Sequence, residues 1–157
     1  MTKHLRGRIT GMVLTALQAG PVSGQSASPD LRDAFATVSR HLVQSAEMVP
    51  DTRYSERPTP SVRTFLSLIA HVADGNNYYC RLAAGESVEW AQSAEDSTTT
   101  KEAALAALKA SVTACTAAYS AASARPGPLI ENLAHASLHY GNVIVYLRAM
   151  GFTPPSS

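Results

Sequence analysis

Two of the five histidines, His135 and His139, stand four residues apart in the stretch LAHASLHYGNVIVYLRAMG, residues 133–151. On a helix that spacing stacks them one turn apart and about 40° around the axis, so both imidazoles leave the same face. Neutral imidazole is a common ligand for transition metals, and two on one face supply half of a tetrahedral shell. Leu129, Leu133, Tyr140, Val143 and Leu147 centre on a direction roughly 100° from His135, so the pair flanks the apolar stripe. His71 holds a matching place, roughly 120° from the centre of its own apolar face. Three imidazoles meeting in a groove between helices leave coordination positions for water or substrate, as catalytic metal sites do.

The same residues also read as satisfied histidines at the edge of a helical core, because His-x3-His names no third ligand. His4 falls in the N-terminal segment, and His41, beside Leu42, has no matching partner and reads as structural. A divalent ion held by three neutral imidazoles keeps its charge, which lowers the pKa of a bound water or thiol and polarises a carbonyl. Hydrolysis and thiol transfer are both within that chemistry. No GxSxG nucleophile accompanies the histidines, and Asp74 and Glu131 read as solvated helix charges.

Four amphipathic segments must position these side chains. A first helix begins at Pro29 behind Ser28 and carries Leu31, Phe35, Val38, Leu42 and Val49 to its stop at Pro50. The loop DTRYSERPTP follows. A second helix is expected over residues 61–84, with Val62, Phe65, Ile69 and Val72 on one side and Gly85 at its end. A linker, 85–100, holds the only tryptophan, Trp90, and the polar run SAEDSTTT. One of Thr98 to Thr100 caps a third helix carrying Leu105, Leu108, Val112, Cys115 and Tyr119, and ARPGP breaks it. The fourth runs from Pro128 to Met150 and stops at Gly151. With no strand alternation and no internal repeat, the fold class is all-α, a four-helix bundle.

The linker also bears on topology. A 24-residue helix is about 36 Å long, and sixteen extended residues reach roughly 50 Å. The linker can therefore cross the whole bundle and leave the second and third helices parallel. Cys80 and Cys115 then lie near a common level, so a disulfide and the crossover stand or fall together. The pair lacks the CxxC spacing of zinc or redox motifs.

Thirteen basic and twelve acidic residues leave no basic surface for nucleic acid. No apolar run approaches the length of a membrane span. Lys3, Arg6 and Arg8, then ITGMVLTALQAG, then PVSGQSA give the charged, apolar, small-residue order of a signal peptide. This predicts a signal over residues 1–24, and a periplasmic or secreted chain, slightly acidic, beginning near Gln25. The alternative is an N-terminal arm on a cytoplasmic protein.

The chain resembles the DinB-like family of small four-helix-bundle metalloenzymes. The resemblance rests on YSERPTPSVRTFLSLIAHVAD (54–74), LAHASLHYGN (133–142) and VYLRAMGFTPP (145–155), and covers about residues 29–155. It implies a crossover bundle and metal-binding histidines at His71, His135 and His139. The implied metal is a divalent transition ion, zinc or nickel. Relatives include thiol-dependent transferases and isomerases. Asn142 stands where the family commonly has Gln, and Leu138 replaces a frequent additional histidine. Export weighs against a thiol cosubstrate, since small thiols are mainly cytosolic. The resulting expectation is a metal-dependent hydrolase or thiol-type transferase acting on a small molecule of unassigned structure. The alternative is a non-catalytic bundle that binds metal or ligand, or forms a homodimer.

Overall fold

The computed structural model describes residues 27–157, so the expected signal peptide at 1–24 lies outside the described residues. Five α-helices follow in order: α1 Pro29–Met48, α2 Phe65–Ala83, a short α3 Ser93–Ser97, α4 Lys101–Ser120 and α5 Pro126–Ala149. The four long helices are those expected, the fourth now being α5.

Side chains cap three of them. Ser28 accepts from the Leu31 amide at 3.2 Å, Thr64 from Ser67 at 3.1 Å and Thr100 from Ala103 at 3.2 Å. Gly85 and Gly151 follow α2 and α5 with φ of +92° and +81°, a left-handed turn that glycine adopts without strain.

Helix α2 starts four residues later than its apolar pattern suggests. The loop before it folds back, so that the Phe65 amide donates to Glu56 O and the Leu66 amide to Tyr54 O, at 2.9 and 2.8 Å. These carbonyls satisfy amides that an earlier helical turn would otherwise serve. Val62, expected on the buried stripe, is left exposed in the loop. Helix α5 starts two residues early, since Pro126 and Pro128 both fit a first turn. The Arg125 amide and guanidinium tie that start to the Ala83 and Leu82 carbonyls at the end of α2.

The packing direction is fixed by pairs of contacts. Asn76 bonds Ser111 and Cys80 is disulfide-bonded to Cys115, each pair four residues further along both helices, so α2 and α4 run parallel. His71 meets His139 while Gly75 meets His135, so α2 and α5 run antiparallel. Phe35 stacks on Tyr119 while Glu47 pairs with Lys109, so α1 and α4 are antiparallel. The order is up, down, down, up, with residues 85–100 as the crossover. Phe35, Leu42, Phe65, Ile69, Leu108, Leu129 and Leu147 fill the centre. None of the described helices is long and apolar enough to cross a membrane.

Candidate metal centre

The sequence separates His71 from His135 by 64 residues, and the antiparallel α2–α5 pairing closes that distance. His71 Nε2 and His135 Nε2 are 3.3 Å apart. Ring centroids lie 5.2 Å apart for His71 and His135, 4.7 Å for His71 and His139, and 4.4 Å for His135 and His139. One ligating atom from each lies within 4.8 Å of the others. Nitrogens about 2.1 Å from a common tetrahedral ion stand roughly 3.4 Å apart, so the closest pair already has that spacing.

Gly75 makes the approach of His135 possible. A Cβ there would lie 2.1 Å from His135 Cε1 and 2.4 Å from its Nδ1, so the imidazole rests directly on the α2 backbone. A glycine inside a helical pattern costs stability relative to alanine, but the pattern around Gly75 does not show which side chain fills the space.

All three imidazoles are held in the neutral, ligating form. Burial pushes His135 down to about 3, with His139, His71 and Arg63 adding repulsion. Burial also pushes His139 down to about 4, reinforced by His71 and Arg63 and opposed by Glu95. His71 is lowered by burial and Arg63 against the pull of Glu95 and Asp74. His135 Nδ1 is buried with no hydrogen-bond partner. His139 Nδ1 faces the Asn142 amide at 3.2 Å. A neutral, desolvated imidazole cluster whose nitrogens face one another fits a divalent cation.

The crossover roofs this cluster, a role its polar sequence did not reveal. Trp90 lies 5.5 Å from the His71 ring and 5.9 Å from His135, packed also on Tyr78. From α3, Glu95 Oε2 reaches His71 Nδ1 at 3.1 Å. Asp74 is not a solvated charge: it is 3% exposed and accepts the Ala94 and Glu95 amides at 2.8 and 2.9 Å. Glu131 remains exposed, as expected. His41 packs on Tyr140, away from the cluster, with rings 5.2 Å apart.

Beside His139 opens a cleft of about 440 Å³, bounded by the loop before α2 and by α5, with Arg63, Leu68, Asn142 and Tyr146 on its walls. That volume suits a small molecule.

The sequence matches the DinB superfamily over residues 34–141. The chain belongs to the DinB superfamily. The matched span contains His71, His135 and His139 and ends two residues beyond the last of them. Neither the curated proteins nor the solved structures include a match. DinB membership and a histidine cluster able to hold an ion are compatible with a metal-binding protein.

Proposed function

We propose that this DinB protein binds one divalent transition-metal ion, zinc or nickel, through His71, His135 and His139. We further propose that it uses the ion to transform a small molecule entering by the adjacent cleft, as a hydrolase or thiol-type transferase. The observation that carries the reading is the convergence of three neutral imidazoles from α2 and α5, two of their nitrogens 3.3 Å apart. When bound, the ion supplies Lewis acidity toward a carbonyl, a water or a thiol. The chain supplies the rest. Trp90 limits water access from the crossover side. Arg63, Asn142 and Tyr146 line the approach to His139 and present polar groups that orient a substrate. Leu68 supplies apolar contact there.

Metal analysis of protein purified without an affinity tag tests the site. About one equivalent of divalent metal is expected, with near-complete loss in His139→Ala. Protein that stays metal-free after incubation with zinc and nickel sinks the proposal. Screens with esters, amides and thiol acceptors then separate an enzyme from a non-catalytic binder.

The same reading assigns residues 1–24 to a cleaved signal and the mature chain to an oxidising compartment. The Cys80–Cys115 disulfide, a bond that persists in such compartments, supports it. N-terminal sequencing of exported protein is expected to begin near Gln25; full-length protein retained in the cytoplasm contradicts it.

A further inference from the structure

We propose that Glu95, delivered by the crossover, is the positioning residue that fixes the tautomer and orientation of His71, and that Asp74 acts through it by anchoring α3. This rests on the metal site proposed above and concerns residues outside the three ligands.

Glu95 has each carboxylate oxygen doubly occupied. Oε1 accepts from Arg63 Nε at 2.7 Å and from the Ser67 hydroxyl, and Oε2 from Gln92 Nε2 at 2.8 Å. His71 Nδ1 stands 3.1 Å from Oε2, the fourth partner. A carboxylate offers about four acceptor positions and, ionised, donates none. Arg63, Ser67 and Gln92 all approach as donors, so the carboxylate meets its surroundings as an acceptor alone. His71 must therefore carry its proton on Nδ1, which leaves the Nε2 lone pair facing His135 and the site's centre. A partner of this kind orients the ring and raises the donor strength of the ligating nitrogen. Among the three imidazoles, His71 alone has a carboxylate hydrogen-bonded to its ring.

Asp74 explains why Glu95 is there. It lies one turn along α2 from His71 and accepts the Ala94 and Glu95 amides of α3. Without it those half-buried amides lose their acceptors, and the N-terminus of the five-residue helix has no other side-chain cap. The path therefore runs from the Asp74 carboxylate to the α3 backbone, from Glu95 to His71, and from the ring to the metal.

Two measurements on the full chain test this. Long-range ¹⁵N–¹H correlation spectra of the metal-free protein should show His71 as the Nδ1–H tautomer, shifting towards Nε2–H in Glu95→Ala. Zinc affinity, by chelator competition, should fall about 10- to 100-fold in Glu95→Ala. It should fall less in Glu95→Gln, whose carbonyl still accepts from Nδ1. Asp74→Ala should also weaken zinc, but have no added effect in the Glu95→Ala background. Circular dichroism checks that each variant folds. A wild-type His71 already protonated on Nε2, or a tautomer unmoved by Glu95→Ala, overturns the role of Glu95. Additive losses in the double variant overturn that of Asp74. If wild-type protein takes up no zinc, the metal proposal fails separately, while the tautomer spectra still decide on Glu95.

Discussion

At the scale of single residues, Gly75 and His135 form the most exacting contact of the site. Glycine inside a helix normally costs roughly 0.5–1 kcal/mol relative to alanine, and here the missing Cβ is the space the His135 ring occupies. Gly75→Ala therefore has opposing effects. The helix gains propensity, and the imidazole, being the far end of a side chain, is pushed from the cluster. Unchanged far-UV dichroism with metal content reduced at least tenfold is the expected result. Undiminished metal content would show that His135 does not ligate from this position. The helix faces of His71, His135 and His139 were legible because 3.6-residue periodicity gives each side chain a face, and their grouping was implied by the resemblance to the DinB-like family. Gly75, Glu95 and Trp90 were not, because each acts through a contact between elements distant in sequence.

At the scale of elements, α2 is the member on which the site depends. It carries His71 toward α5, Gly75 under His135, Asp74 under α3 and Cys80 toward α4. The linker's length revealed the parallel α2–α4 pair and hence the level placement of the cysteines. Its short helix was hidden, since the α3 cap comes from Asp74, 20 residues earlier in the chain. The late start of α2 was hidden likewise, its amides being met by carbonyls of a returning loop. The disulfide spans 35 residues, and the chain-entropy account of such a loop gives about 4 kcal/mol. Replacing both cysteines by alanine should lower unfolding free energy by about 2–4 kcal/mol in urea titrations while leaving helicity intact. A change below about 0.5 kcal/mol would mean that α2 and α4 are held equally well by packing alone.

At the scale of the molecule, the buried imidazoles tie stability to pH. His71, His135 and His139 all bind protons more weakly in the fold than at the ordinary 6.5, His135 down to about 3 and His139 to about 4. From about pH 6.5 down to about 3 the unfolded chain holds the extra protons, so stability rises with pH across that window. Metal-free protein should show its urea midpoint falling steadily from pH 7 to pH 4, with a shallower fall in His135→Gln. A midpoint independent of pH would mean that these rings stay solvated.

The disulfide also bears, through the topology of the chain, on uptake of the proposed metal. Cys80 and Cys115 lie between His71 and His135 in the chain, so the covalent loop is nested within the one that a metal closes. In the reduced chain the metal must close 64 residues. In the oxidised chain the shortest covalent route is nine residues to Cys80, the sulfur bridge, and twenty from Cys115. That shortening lowers the entropy cost of gathering the ligands by roughly 0.7 kcal/mol. For the metal proposed above, oxidation thus favours gathering of the three histidines before the bundle has packed, and the thiol state of the chain sets how readily an unfolded molecule takes up that ion.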